Sequence, residues 1–153
     1  MAEPQFGRLD IGEQWKRLNQ TLVDLVDYIP DDKLDWSPQA GMWGFREILS
    51  HITSTRGNWL SREGTDREAV LAIVTSKADL TRLLRESWEH VERFLAEQRY
   101  VDRVYEGERD AQPYSYSGHW IAFHLLEHDI HHRSDVFHYL ALLGIEHPEV
   151  GTP

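Results

Sequence analysis

The chain has 153 residues, a formal net charge of −10, 41% hydrophobic residues, 11% aromatics and no cysteine. That length suits one domain with a core of its own, and the composition is globular rather than disordered. The missing cysteine excludes disulfides, thiolate ligands and a cysteine nucleophile, and the negative charge argues against nucleic acid or an anionic membrane as partner.

The opening MAEPQFGRLD has no basic region followed by an apolar run, so no signal peptide is expected. No apolar stretch reaches bilayer length, and a cytoplasmic protein is expected. The first predicted helix runs from Ile11 to Ile29. Its apolar stripe is Ile11, Trp15, Leu18, Leu22, Leu25 and Ile29, in steps of three and four, and Pro30 stops it. Asp31 to Gly41 is polar, contains Ser37-Pro38 and reads as a loop.

A second helix is predicted from Trp43 to Arg62, with Phe45, Ile48, Leu49, Ile52, Trp59 and Leu60 on its apolar face and Gly64 as its stop. Thr65 to Ala72 reads as a short helical piece. The third long helix runs from Lys77 to Gln98 on Leu80, Leu83, Leu84, Trp88, Val91, Phe94 and Leu95. Ser76 is its N-cap, and Asp79 three residues on completes a capping box. Tyr100 to Tyr116 carries no sustained helical stripe and reads as a long connection of the kind that is often functional. The last helix spans Ser117 to Leu143, ended by Gly144 with Pro148 beyond. No segment reads as a clear strand. The expected fold class is all-α, a four-helix bundle in a single domain over residues 1–153.

Histidine is the unusual component. Of nine histidines, six lie between His119 and His138. Residues four apart share a helix face, so an H-x-x-x-H pair can chelate one metal ion. His124/His128, His128/His131 and His128/His132 all have suitable spacing. The apolar stripe Ile121, Leu125, Val136, Tyr139 and Leu143 aligns with His128 and His132, which places these two inward, His131 and His138 to the side, and His124 between. A third ligand has to come from another helix. His51 lies in an inward row with Ile48 and Thr55; His90, flanked by Glu89 and Glu92, is the second choice. A lone histidine on an apolar face is ordinarily a hydrogen-bonded core residue. Three inward imidazoles without a common partner would be costly to bury. Other signatures are missing: there is no H-E-x-x-H, no E-x-x-H, no G-x-S-x-G, no Walker loop and no G-x-G-x-x-G.

Two stretches resemble the DinB/YfiT-like superfamily of metal-binding four-helix bundles. One is Ile29-Pro-Asp-Asp-Lys-Leu-Asp-Trp36-Ser-Pro38 followed by Met42-Trp43-Gly-Phe-Arg-Glu47-Ile-Leu-Ser-His51-Ile. The other is Glu127-His128-Asp-Ile-His131-His132-Arg133 followed by Tyr139-Leu-Ala-Leu-Leu-Gly144-Ile. Helix order and spacing also fit. The resemblance implies a bundle of the DinB/YfiT-like type with a metal on His51, His128 and His132. The chain departs from the family pattern in three places. Ser134 and Asp135 stand where the family often has Gly-Gln after H-H-R, and Gly44 stands where a capping Ser is common.

The resemblance further implies one divalent metal ion (Zn, Ni, Fe or Mn) with positions open to water or substrate, and a transferase that uses a low-molecular-weight thiol such as bacillithiol, mycothiol or glutathione. The metal would lower the pKa of the thiol, and the thiolate would attack a small electrophilic substrate. Arg46, Arg56 or Arg133 would hold carboxylates, against the ordinary reading of each as a surface salt bridge. Asp129 or Glu127 would orient a ligand imidazole, with a solvated face the ordinary reading for Glu127. Tyr114, Tyr116 and Trp120 would wall the pocket or simply pack. Metal-dependent hydrolysis at the same site, a non-catalytic metal-binding bundle and a metal-free interaction bundle are the alternatives. The resemblance also implies a homodimer.

Overall fold

The structure, a computed structural model, describes residues 10–61, 66–97 and 104–147, the side chain of Arg109 excepted. Gly64, read above as a helix stop, and Pro148 lie outside the described residues. Five helices and one hairpin follow in order: α1 (Ile11–Tyr28), α2 (Phe45–Leu60), α3 (Arg67–Ile73), α4 (Lys77–Ala96), β1 (Val104–Arg109), β2 (Gln112–Ser117) and α5 (Gly118–Leu142). A 3-10 turn, Asp31–Lys33, opens the loop after α1. α1 and α2 each pack against both α4 and α5, which makes the four-helix bundle, and α3 lies on α2. The architecture is the all-α bundle expected from periodicity.

The helix ends follow local chemistry. Asp10 caps α1 by accepting from the Glu13 N–H at 3.1 Å. Ser76 and Asp79 form the expected capping box of α4. Ser117 caps α5, accepting from the Trp120 N–H at 3.1 Å. Gly144 closes α5 at φ +71, where the left-handed backbone favours glycine, and the Ile145 N–H returns to the Leu140 carbonyl at 2.9 Å.

The core is one cluster drawn from all four long helices, with Trp15, Leu22, Leu25, Leu49, Ile52, Leu84 and Leu125 fully buried. Of the expected α1 stripe only Ile11 fails to reach it, at 51% exposure, because it sits at the helix start. The long connection is the main difference from the expectation. Val104 to Ser117 forms an antiparallel hairpin with Val104 opposite Ser117 and Arg109 opposite Gln112. Its two turn residues, Asp110 and Ala111, have φ of 52 and 59, as a tight two-residue hairpin turn demands. Tyr105 and Tyr116 pair across it and pack on the core.

The loop after α1 is fastened to the start of α2, and Gly44 is the contact point. A Cβ on Gly44 would lie 2.8 Å from the Asp35 carbonyl carbon. The Arg46 N–H donates to the Leu34 carbonyl at 2.8 Å, and the Arg46 side chain reaches Asp35 at 2.6 Å. The Glu47 carboxylate accepts from the Gly44 N–H at 3.0 Å, supplying half of a capping box. Gly44→Ala is therefore expected to destabilise the fold by about 1–3 kcal/mol, the usual range for forced overpacking. A lower urea midpoint with an unchanged m-value would report it; an unchanged midpoint would refute the close approach.

Candidate metal centre

α2 carries His51 on its inner side, and α5 carries His124, His128 and His132 one turn apart. The donor atoms of His51, His128 and His132 all lie within 4.8 Å of one another. The Nε2 atoms of His51 and His128 are 2.9 Å apart. Each ring is held from its other side. His51 Nδ1 is 3.4 Å from the Thr55 hydroxyl, His128 Nδ1 is 3.4 Å from Asp129 Oδ1, and His132 Nδ1 is 3.1 Å from Asp135 Oδ2. With the proton on Nδ1 in each ring, Nε2 would be free to act as a nitrogen ligand. Trp43 lies beside the group, its ring centre 4.8 Å from that of His51 and 6.1 Å from that of His132.

The surroundings disfavour the charged form of His51 and His132. Burial, then repulsion by His128 and His132, pushes the His51 pKa down to about 4, and Arg67 adds to the shift. His132 is also lowered, by burial and by His128, against the opposing pull of Asp135. Imidazole nitrogens gathered within 4.8 Å fit a divalent cation of the nitrogen-loving class. His131, His132 and Asp135 form a second close group. There His131 is 70% exposed, and Asp135 serves His132.

Below the histidines runs a buried polar network. Arg56 and Asp129 are both fully buried. Asp129 Oδ2 accepts from Arg56 Nε at 2.9 Å and from Trp15 Nε1 at 2.8 Å, with Arg56 Nη2 also 2.8 Å away. Arg56 Nη1 donates to Asn19 Oδ1 at 2.7 Å and to the Ser87 hydroxyl at 3.2 Å. Burial alone would raise the Asp129 pKa. The Arg56 charge and the hydrogen bonds from His128, Trp15 and Arg56 together hold it below the usual range. The expectation of Arg56 as a surface ion pair or a carboxylate holder is corrected here: it is a core residue fixed to Asp129.

Above the histidines lies a cavity of about 1040 Å³ between α2, α5 and the hairpin, lined in part by His51, His128, Thr55, Trp59, Arg67 and Tyr116. Aromatic rings form one wall. Tyr114 stacks on Tyr116, Tyr116 on Trp120 at 4.2 Å, and Trp120 on His124 at 4.8 Å. Tyr114 and Tyr116 line the cavity, as expected of wall residues. His124 lines it too but stands off the cluster, its ring centre 6.5 Å from that of His128.

The remaining sequence-predicted residues lie elsewhere. His90, the second choice for third ligand, pairs with Arg93 on α4 at 3.0 Å. His138 and Glu127 are exposed. Arg46 is engaged with Asp35 and with the Val74 carbonyl at 3.3 Å. Arg133 is half-buried, and its Nε has no hydrogen-bond partner among the described residues. Arg67, which sequence reasoning passed over, sits on the short α3 with its guanidinium 4.1 Å above the Trp43 ring. A lone arginine in a weak helical segment gives no signal of its own.

Fold and site together define a four-helix bundle with a histidine cluster able to hold a metal ion at the floor of a cavity. The DinB family model matches residues 2–153, and the chain belongs to that family. Among solved structures, a DinB-like protein from Bacillus cereus is similar with a TM-score of 0.71 and 17% identity, covering 92% of this chain and 95% of that one. A DinB-like protein from Bacillus subtilis gives 0.65 and 18% over 93% and 95%. A protein assigned to the DinB family from Exiguobacterium sibiricum gives 0.67 and 20% over 95% and 98%. Identities this low carry the fold alone. No curated protein matches the sequence.

Two outcomes test the site's construction. Arg56→Met leaves the Asp129 carboxylate buried and unpaired, which is expected to destabilise by about 3–5 kcal/mol; chemical denaturation would measure it, and a loss under about 1 kcal/mol would contradict the network. The second concerns pH. His51 has a folded pKa of about 4 against 6.5 when free, so the unfolded chain binds the extra proton between those values. Metal-free protein should therefore lose stability as pH falls from about 6.5 towards 4. A His51→Gln variant should show a shallower fall in melting temperature over that window, and an identical slope would count against the shift.

Proposed function

We propose that this DinB family protein binds one divalent metal ion through His51, His128 and His132 and acts as a transferase that uses a low-molecular-weight thiol. The observation that carries the reading is the position of the cluster. Three imidazoles have donor atoms within 4.8 Å of one another, and two of them, His51 and His128, line a cavity of about 1040 Å³. Three nitrogen ligands facing an accessible cavity are the pattern of a catalytic rather than a closed structural site. A bound divalent ion would supply Lewis acidity and bring a thiol's pKa towards neutrality.

The chain's own groups have definite parts. Asp129, Asp135 and Thr55 hold the second nitrogens of His128, His132 and His51 and so fix ring orientation. Hairpin residues and Trp59 line the cavity and give it apolar as well as polar surface. No cysteine is present, so the attacking sulfur belongs to the small molecule. In the transfer the S–H bond gives up its proton to solvent and a C–S bond forms at an electrophilic carbon. The displaced group leaves with the electron pair of its bond.

Elemental analysis of untagged protein beside the His51→Ala, His128→Ala and His132→Ala variants tests the ligands. About one metal per chain in the wild type and a small fraction of that in each variant is expected. Failure to take up zinc, nickel or manganese on reconstitution would sink the ligand set. With metal present, turnover of an electrophile that requires an added thiol supports the transferase. Turnover without thiol points to hydrolysis, and tight metal retention without turnover to a binding bundle.

A further inference from the structure

We infer that Arg67 is the anion anchor of the cavity, so that the small molecule taken there carries a carboxylate, held by the Arg67 guanidinium while the rest lies beside His51 and His128 under the hairpin. The inference deepens the proposed function by naming a feature of its ligand, and it rests on that reading for the metal but not for the pocket.

Arg67 is the one lysine or arginine among the described residues that line the cavity. One of its donors is buried and unfilled, although the side chain as a whole is 33% exposed. A guanidinium has five N–H donors and no other way to satisfy them. Arg67 Nε is buried and has no hydrogen-bond partner among the described residues. Its nearest carboxylate, Glu47, is 3.8 Å away, beyond hydrogen-bond length, and the other Glu47 oxygen already accepts from the Gly44 N–H. The Trp43 ring beneath it offers the guanidinium a π-face, and that contact uses none of the in-plane N–H groups. A buried donor without a partner calls for an explanation, and a ligand that arrives from the cavity supplies one.

Electrostatics points the same way. Arg67 is near enough to His51 for its charge to be felt there. A guanidinium beside a metal-binding histidine opposes the cation unless an anion lies between them. A carboxylate satisfies both, and its two oxygens match the fork of one arginine. A dianionic phosphate fits less well. One guanidinium neutralises half its charge, and Glu108 and Asp110 on the hairpin line the same cavity. Trp59, Pro113, Tyr114 and Tyr116 give the ligand's apolar part a surface.

The test compares ligands that differ only in charge. On chelator-treated protein, binding of 3-phenylpropionate is measured against 3-phenylpropanamide by calorimetry, for the wild type, Arg67→Gln and Arg67→Lys. On cobalt-loaded protein the pair is 3-mercaptopropionate and 3-mercaptopropanamide, followed by the cobalt absorption spectrum. The wild type should prefer the carboxylate by about tenfold or more, the range of a charged hydrogen bond. Arg67→Gln should bring the ratio close to one with its metal content unchanged, and Arg67→Lys should recover part of the preference. Wild type without a preference, no binding of either ligand, or a preference kept by Arg67→Gln would each overturn the inference. A carboxylate preference in protein that takes up no cobalt would leave the anchor standing and remove the metal reading instead.

Discussion

The structure turns on the buried contact between Arg56 and Asp129. Its hydrogen bonds reach every long helix: Trp15 and Asn19 on α1, Arg56 on α2, Ser87 on α4 and Asp129 on α5. Two charges taken fully out of water cost several kcal/mol each, and their attraction offsets this only when the remaining donors and acceptors are also satisfied. The network meets most of that demand from all four helices together, Arg56 Nη2 having only the ion-pair contact with Asp129 and no hydrogen bond among the described residues. Stability could be had more simply from apolar residues. What the ion pair adds is register between α2 and α5, and register is what a three-histidine site requires.

The link from network to site is short. Asp129 gives Oδ2 to Arg56 and Trp15, and Oδ1 faces the Nδ1 of its neighbour His128. The same carboxylate thus locks the helices and orients a ring. His51 lies five residues before Arg56 on α2, so the Arg56–Asp129 contact also fixes how near His51 comes to His128. The 2.9 Å between their Nε2 atoms is a consequence of that clamp. The histidines gain geometry from the core, and His51 and His132 lose proton affinity to burial and to repulsion by neighbouring histidines. Both changes favour a neutral nitrogen donor set.

Much of this was legible in the sequence where one periodicity dominated. The α1, α4 and α5 stripes gave helices within about two residues of those observed, ordinary uncertainty at helix ends. His128 and His132 were legible because they fall in line with Ile121, Leu125 and Val136, and His51 because it follows Ile48. The hairpin was not. Its turn, Asp110-Ala111, places alanine in the left-handed region where Asn-Gly or Asp-Gly would have announced it. Its strands, with exposure along most of both, lack the clear alternation of a half-buried sheet. Arg56 was misread because arginine is mostly exposed, and only three-dimensional neighbours reveal a buried one. Arg67 was missed because its meaning depends on Trp43 and His51, which local sequence does not bring to it.

The three departures from the family pattern acquire separate physical meanings once placed. Ser134 is exposed, so a side chain there crowds nothing, and the close packing a glycine could allow is not used at that position. Gly44 lies against the Asp35 backbone with no room for a Cβ, and Glu47 takes over part of the capping that a serine would provide. Asp135 is the one with chemical weight. A carboxylate in place of an amide accepts from His132 Nδ1 at 3.1 Å and carries a charge that an amide lacks. Such an acceptor makes the imidazole a stronger donor through its other nitrogen. The same charge raises the proton affinity of His132, against burial and the repulsion of His128. The net effect is still a pKa below the usual histidine value. This chain therefore gives His132 a charged acceptor that an amide would not provide, without raising its proton affinity above the ordinary.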